Sequence, residues 1–253
     1  MSVWIQLTQE LDHWGESGAV ATFWWRDDDA VEPTSQLEAL FRFAGPVPLA
    51  LAVIPGLATI ELADRLREQA SVVVLHHGWR HANHAPDGNS EYPASRPEEQ
   101  VGHELDRGRE RLAHLFGAQA LPVFVPPWHG FDPRFLPVLR QSGFTAISQK
   151  GPRASPLATR GVFQVNAHMS PIKWTDPPSF GEEDAFLSQV IDHLHGRRLG
   201  FYDRAEPTGL LTHHLVQDAR SYAFIARFVE LVSHHPAATW LGGREVFAPV
   251  AHQ

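Results

Sequence analysis

Short apolar stretches alternate with amphipathic stretches along most of this chain, and that alternation constrains the fold more than any other feature. Residues 71–75 (SVVVL) form a short, mostly apolar run of strand length, whereas residues 97–116 repeat apolar side chains at helical spacing. Short buried strands that are each followed by a helix are typical of a mostly parallel sheet covered by helices. We therefore predict an α/β fold. The predicted strands are residues 19–25, 47–54, 71–75, 122–125, 144–148, 161–165, 209–212 and a last one near Thr239. The predicted helices are residues 33–43, 58–69, 97–116, 134–141, 182–195 and 220–234.

The chain shows no tract with the composition of a domain linker and no internal repeat, so we predict one domain over residues 1–253. Its longest apolar run, residues 47–54, is far shorter than the roughly 20 residues that a membrane-spanning helix needs. Residues 1–10 lack the basic start and apolar core of a signal peptide. We expect a cytoplasmic protein without a membrane partner.

Composition excludes several classes of function. The formal net charge is −8, and the basic residues form no run, which argues against a nucleic-acid partner. Because the chain has no cysteine, it has no disulfide, thiolate metal site or cysteine nucleophile. The fingerprints of serine hydrolases, P-loop nucleotide triphosphatases and dinucleotide-binding domains are also missing from the sequence.

Polar side chains follow the carboxyl ends of four predicted strands. The acidic residues 27–29 follow the first strand, residues 76–81 (HHGWRH) the third, residues 126–129 (PPWH) the fourth, and His213 and His214 a late one. The carboxyl ends of parallel strands share one rim in a barrel and one crevice in an open sheet, and active sites are assembled there. We expect the functional site at this edge.

Residues 27–29 are three consecutive aspartates after an apolar strand, and they allow two interpretations. They form either a solvated turn in which Asp28 or Asp29 caps the next helix, or a catalytic pair. In a pair, one carboxylate binds a metal ion and its neighbour acts as general base.

His77 and His81 are four residues apart, and on a helical turn both would project from one face towards the same ion. Zinc accepts nitrogen and oxygen ligands, and a catalytic zinc takes three protein ligands and water. Two histidines and one aspartate satisfy that requirement. His193 and His195 point apart on a predicted helix and are not expected to bind metal. His76 and His84 are alternative metal ligands. The histidines that we expect to line the same rim are His76, His84, His129, His168 and His214.

In this order the motifs resemble those of the polysaccharide deacetylase family, the NodB-homology domain of carbohydrate esterase family 4. That family has Asp-Asp after its first strand, His-Ser/Thr-x-x-His after a later one, then Arg-x-Pro-aromatic and finally Leu-x-His. The counterparts here are residues 27–28 (DD), 77–81 (HGWRH), 125–128 (VPPW) and 211–213 (LTH). The nearest counterpart of a further motif is residues 174–176 (WTD). The resemblance implies a distorted (β/α)7-type barrel and metal-dependent hydrolysis of an acyl group.

Carried over residue by residue, the resemblance implies a divalent metal held by Asp28, His77 and His81, with zinc as first choice and cobalt or nickel as alternatives. Asp27 is then the base that takes a proton from water, and His213 is the acid that protonates the leaving amine. The backbone N–H near Trp128, beside Pro127, is expected to stabilise the oxyanion. Two shifts of register stay open: Asp28 as base with Asp29 as ligand, and His214 in place of His213.

Two departures from the family pattern stand out. Val125 replaces the arginine that pairs with the catalytic aspartate, and Gly78 replaces the hydroxyl residue of the second motif. Arg26 is a candidate substitute for the missing charge. The expected function is therefore a metal-dependent deacetylase acting on an N-acetylated sugar or a related small amide. The alternative is a catalytically impaired relative that binds carbohydrate through its aromatic side chains, which are Trp24, Trp25, Trp79 and Trp128.

Overall fold

We describe a computed structural model of the chain over residues 2–248; Met1 and residues 249–253, which include His252, lie outside the described part. Its helices are α1 (Val3–Glu16), α2 (Ser35–Ala44), α3 (Ile60–Leu66), α4 (Glu98–Phe116), α5 (Leu136–Gln141), α6 (Glu183–Leu199), α7 (Ala219–His234) and α8 (Gly243–Val246). Its strands are β1 (Ala21–Ala30), β2 (Leu49–Val53), β3 (Val72–His77), β4 (Ala120–Val125), β5 (Ala146–Ile147), β6 (Leu157–Thr159), β7 (Val162–Gln164), β8 (Ile172–Lys173), β9 (Ser179–Phe180), β10 (Thr208–Thr212) and β11 (Ala238–Trp240).

The main sheet follows the order β10-β1-β2-β3-β4-β5-β7-β6, with β11 paired to β1. Its strands run parallel except for the antiparallel pair β6 and β7, and β8 and β9 form a separate two-stranded sheet. Beyond β7, the bridges Lys150–Ala167 and Met169–Leu210 connect the chain back to β10. The predicted α/β fold with a mostly parallel sheet is confirmed, and isolated bridges, rather than a regular ladder, connect the segment after β7 to β10.

The two faces of the sheet carry different cores because successive side chains of a strand point to opposite sides. Phe23 and Trp25 of β1 pack in a cluster with Leu11 of α1 and Phe228 of α7. Trp24 packs in a second cluster, on the inner face, with mostly small or β-branched residues on or beside the other strands. Those residues are Ala50, Ala52, Val73, Leu75, Val123, Val125, Ala146, Val165, Ala167 and Leu211. The small side chains leave room for the inner faces of several strands to meet.

Helix boundaries follow local capping chemistry. The hydroxyls of Thr34 and Thr59 accept the N–H groups of Leu37 and Leu62, which starts α2 and α3. Gly117 adopts a positive φ of 53° and ends α4. Most predicted strands and helices match the observed elements to within a few residues, but β1 continues past its predicted end at Trp25 to Ala30, and the short elements β6, β8, β9 and α8 were not predicted. The carboxylates of residues 27–29 do not cap α2; they belong to the last part of β1.

Helix α1 was missed by the sequence analysis, although its apolar side chains recur at helical spacing. Its buried residues include Trp4, Leu7, Leu11 and Trp14, and the helix packs against α6. Ser2 caps its N-terminus by accepting the N–H of Trp4. Among the described helices, none is both long enough and apolar enough to cross a lipid bilayer.

Gly108, in the middle of α4, is required by the packing of this helix on β3. A Cβ atom at Gly108 would overlap Nε2 of His76 and lie 2.8 Å from its Cε1, and His76 is itself fixed between Phe124 and Phe144. Alanine in a helix interior is normally more favourable than glycine by about 1 kcal/mol. We expect Gly108→Ala to reverse that sign and to destabilise the protein by about 1–3 kcal/mol through overpacking.

Urea denaturation measures this effect, with Gly102→Ala in the same helix as the matched control. A Cβ at Gly102 meets only Val138 Cγ1, at 3.3 Å, so the control should lose less stability. A Gly108→Ala protein as stable as the wild type would contradict the packing argument.

Candidate active site

Asp29 lies where the regular alternation of β1 breaks down. The pairing of β1 with β2 shifts register between Asp27 and Ala30, and Asp29 has a positive φ of 74°. Alternation alone would send Asp29 to the helix-covered face with Asp27. Its Oδ1 lies instead 3.1 Å from His77 Nε2 and 3.4 Å from His81 Nε2. This left-handed residue therefore turns a carboxylate towards two imidazoles.

His77 is the last residue of β3, and its tautomer is set by the backbone. Its Nδ1 donates to the carbonyl oxygen of Val125 at 2.9 Å, which leaves Nε2 facing Asp29. Burial acts to lower the pKa of His77, but the hydrogen bond of Asp29 and the charges of Asp28 and Asp29 outweigh burial and raise that pKa. A histidine held by a backbone carbonyl through one nitrogen is the usual arrangement of a metal ligand.

His81 also lies beside Asp29, but its backbone conformation differs from the helical turn that we expected. Residues 78–81 form no helical turn; Gly78 and His81 have positive φ values of 60° and 55° and bend the chain back. The expectation that helical spacing brings His77 and His81 together is therefore wrong, although their rings do meet, with centroids 5.2 Å apart. Burial, followed by the neighbouring His77, lowers the pKa of His81.

Asp28 is paired with Arg26 on the inner face and does not join the two histidines. Arg26 Nε lies 2.8 Å from Asp28 Oδ1, and Arg26 Nη2 donates to Oδ2 at 3.0 Å. Nη1 of Arg26 donates to the backbone oxygen and the hydroxyl of Ser148, at 3.0 and 2.7 Å. Burial acts to raise the pKa of Asp28, but the guanidinium and nearby histidines lower it overall.

Asp27 points to the opposite, helix-covered face. Its carboxylate accepts the hydroxyl of Thr212 at 2.6 Å, the backbone N–H of His214 at 3.0 Å, and lies 2.5 Å from His214 Nδ1. Trp25 Nε1 donates to the same threonine hydroxyl. The geometry thus separates Asp27 and His214 from the inner-face group, and it favours the shifted register with Asp28 and Asp29 over the register with Asp27 and Asp28.

His213, next along the chain, shares the inner face with Asp28 and Asp29, whose pKa values its charge helps to lower. Its Nδ1 is buried and has no hydrogen-bond partner among residues 2–248. The exposed ring of Trp174 meets it edge-on, with centroids 4.8 Å apart. Of the two candidate histidines, His213 is the one with a free nitrogen on this face.

Trp128 borders the group from the neighbouring loop. Its ring centroid lies 4.1 Å from that of His81, and its backbone is left-handed, with φ 51° and ψ 18°. Pro127, before it, is buried, and His129, after it, also has a positive φ of 62°. Burial lowers the pKa of His129 to about 3, which keeps its imidazole neutral.

The remaining rim candidates lie elsewhere. His76 is buried under α4 on the helix side, and His168 contacts the start of β10, so the expectation that these two line the rim is wrong. His84 is exposed in a loop, and Trp79 packs under Arg107 at 4.7 Å.

A second cluster is formed by His168, His193 and Glu206. It has the residue types of a metal site, but His168 has no free lone pair to bind an ion. The backbone N–H of Gly209 donates to His168 Nδ1 at 2.9 Å, so the proton of this neutral ring is on Nε2. That nitrogen faces Glu206 Oε2 at 3.4 Å and offers no lone pair to a cation. As predicted, His193 and His195 point apart: His193 contacts Thr208, and His195 contacts Glu10.

The ion pair of Asp27 and His214 predicts a pH dependence of stability. Burial acts to lower the pKa of His214, but the Asp27 carboxylate raises it above its ordinary value. The pair is therefore fully stabilising below about pH 6.5, and its contribution is lost as the pH rises through the folded-state pKa. We expect the free energy of unfolding of the wild type, minus that of His214→Gln, to fall as the pH rises above about 6.5.

Urea denaturation across that pH range tests this prediction. His13→Gln is the control, because His13 is exposed and contacts only Glu16 at the surface. A difference that stays constant with pH would show that His214 is not charged in the folded protein.

Comparison with known proteins identifies the fold. No protein-family model matches the sequence, and no curated protein matches it either. Among solved structures, a Mycobacterium smegmatis protein assigned as a polysaccharide deacetylase superposes with a TM-score of 0.63 and 14% identity, over 90% of this chain and 88% of that one.

Two further solved structures also superpose on this chain. The family 4 acetyl xylan esterase of Clostridium thermocellum, in complex with a cobalt ion, has a TM-score of 0.54 and 11% identity over 89% of this chain and 90% of that one. The chitin deacetylase of Colletotrichum lindemuthianum has a TM-score of 0.55 and 12% identity over 92% and 90%. The chain therefore has the fold of the family 4 polysaccharide deacetylases, as its motifs led us to expect.

Proposed function

We propose that this protein is a metal-dependent deacetylase that removes an acetyl or related acyl group from an N-acetylated sugar or a similar small amide. The observation that carries the proposal is the convergence of Asp29, His77 and His81 beside an ion-paired aspartate, Asp28, and a histidine with a free nitrogen, His213. The fold shared with deacetylases and esterases supports it.

The donor set fits a divalent cation. One carboxylate oxygen and two imidazole nitrogens lie within 4.8 Å of one another, and Val125 holds His77 in the tautomer whose Nε2 can bind. Nitrogen and oxygen donors in this number suit a catalytic zinc, with cobalt or nickel as substitutes, and the cobalt complex of one structural neighbour is consistent with this. When bound, such an ion would polarise the acyl carbonyl and make water more acidic.

Asp28 is assigned as the general base. A base must be ionised, and Arg26 stabilises the ionised form of Asp28 despite complete burial. Its charge partner also orients it, because both carboxylate oxygens face the guanidinium, which Ser148 holds in place. In this role Asp28 takes a proton from the attacking water.

His213 is assigned as the general acid, which protonates the departing amine. The backbone N–H of Trp128 is assigned to the oxyanion, as the resemblance implies. The rings of Trp128 and Trp174 flank His81 and His213 and offer flat apolar surfaces to a small acylated sugar.

The alternative, an impaired relative that only binds carbohydrate, rests on Val125 in place of arginine. The contact between Arg26 and Asp28 weakens that alternative, because an arginine still pairs with an aspartate beside the candidate metal ligands. Of the aromatic residues invoked for binding, Trp24 and Trp25 are buried and Trp79 packs under Arg107, which leaves Trp128.

Single substitutions in the acidic run distinguish the two registers. We expect Asp28→Asn to keep its metal and to lose turnover by about 10²–10⁴-fold, because it removes only the base. Asp29→Asn should lose bound metal as well as turnover. Asp27→Asn should keep both at temperatures where it is folded, since Asp27 contacts only helix-side partners.

Metal analysis of protein purified without a histidine tag, combined with acetate release from a panel of N-acetylated amino sugars, checks these outcomes. A variant Asp27→Asn that retains metal but has no turnover would restore the first register. Wild-type protein that binds neither zinc, cobalt nor nickel would overturn the proposed function.

Arg26 predicts a shift in the pH–rate profile. Without the guanidinium, only the nearby histidines oppose the effect of burial, so the pKa of Asp28 should rise and the acidic limb of kcat/KM in Arg26→Gln should move to higher pH. Turnover should fall while metal content stays the same. Arg65→Gln, which breaks the surface pair with Glu38, is the control. An unchanged acidic limb would remove Asp28 from the role of base.

A further inference from the structure

Glu91 is a buried acidic residue that no motif in the sequence singles out. It lies outside the helices and strands, and only 1% of its surface is exposed. Its Oε1 accepts the backbone N–H groups of Arg80 and Ala82, at 2.8 and 3.4 Å, and its Oε2 accepts that of Trp79, at 3.1 Å. All three donors belong to the loop of residues 78–82, which contains His81.

That loop needs an external partner to hold its shape. Gly78 and His81 have positive φ values, and a left-handed conformation costs a residue other than glycine of the order of 1 kcal/mol or more. No helix or strand hydrogen bonds stabilise residues 78–82. A carboxylate that accepts three N–H groups supplies charge-assisted bonds, which are stronger than neutral ones.

The space at Gly78 matches the carboxylate. A Cβ atom at Gly78 would overlap Oε2 of Glu91 and lie 2.5 Å from Cγ of Pro127. A serine or threonine at this position would therefore displace the carboxylate from the loop. The carboxylate of Glu91 therefore occupies the volume that a side chain at position 78 would fill.

The same segment also contacts the loop that contains Trp128. The Ser90 hydroxyl donates to the backbone oxygen of Gly130 at 3.3 Å, Tyr92 bridges with Phe131, and the N–H of Asp132 donates to the carbonyl of Tyr92 at 3.2 Å. Residues 90–92 thus connect two loops whose side chains, His81 and Trp128, touch at the candidate site.

We infer that Glu91 is a positioning residue, which holds the loop of residues 78–82 so that His81 faces Asp29 and His77. This inference rests on the proposed metal site. Glu91 would then set the geometry of one metal ligand through the loop backbone, without contacting the ion itself.

The test is a cobalt titration of the full-length chain after removal of bound metal, followed by visible absorption. Co²⁺ alone is the probe, because its absorption reports both Kd and coordination geometry. The variants are Glu91→Gln, which keeps one acceptor oxygen, and Glu91→Ala, which keeps none. The matched control is Glu206→Gln, because Glu206 is equally buried and also accepts two backbone N–H groups, from Arg153 and Asn166.

We expect Kd for Co²⁺ to rise by about 10–100-fold in the Glu91 variants, more in alanine than in glutamine, with an altered spectrum. Glu206→Gln should lose thermal stability but keep the wild-type Kd and spectrum. Wild-type binding by the Glu91 variants, or equal weakening in Glu206→Gln, would overturn the inference. If Glu91→Ala does not fold, Glu91→Gln decides the question alone. Failure of the wild type to bind Co²⁺, zinc or nickel would instead refute the proposed metal site, and the inference with it.

Discussion

The two-residue alternation of parallel strands is the constraint on which the site depends. Arg26 and Asp28 on β1, His77 on β3 and His213 after β10 all follow inner-face residues at even spacing, and they meet at the rim. The residues between them, such as Asp27, turn to the helix-covered face. Asp29 is the exception, and its left-handed backbone brings a third candidate ligand to the inner face.

Because Asp28 is buried on the inner face, its carboxylate needs a charged partner to stay ionised. A buried carboxylate without a partner would be neutralised, because desolvation raises its pKa. In this chain the partner is Arg26, two residues earlier on the same face of the same strand. Val125 can then be apolar, and it packs in the inner cluster while its carbonyl oxygen holds His77. Position 125 therefore carries no charge, and its backbone oxygen binds His77.

In the loop that contains His81, a group from elsewhere in the chain likewise takes the place of a motif side chain. Gly78 removes a side chain from the motif, and Glu91 fills the space and accepts the loop N–H groups. Both departures from the family pattern, at positions 78 and 125, have a partner elsewhere in the fold: Glu91 in one case and Arg26 in the other. Neither partner is adjacent in sequence to the position it compensates, so the motifs alone cannot show them.

Hydrophobic periodicity was sufficient for the α/β class and for most elements, since burial of one helix face or of both strand faces leaves a local pattern. Helix α1 carries such a pattern, in Trp4, Leu7, Leu11 and Trp14, and could have been found. The bend at His81 could not, because the carboxylate that accepts the N–H groups of this loop belongs to Glu91, which lies outside the motif. His77 and His81 are four residues apart, as on one face of a helix, but the segment between them is not helical.

By itself, the sequence determined which strand ends carry polar residues and hence at which edge the candidate site lies, because parallel strands share one carboxyl edge. It could not determine which of three consecutive aspartates, or which of two consecutive histidines, faces the site. That choice depends on the register of β1 against its neighbours and on the left-handed turn at Asp29. Register is set by packing across the whole sheet, and a shift of one residue exchanges every side chain between the two faces. Only the tertiary structure could decide it.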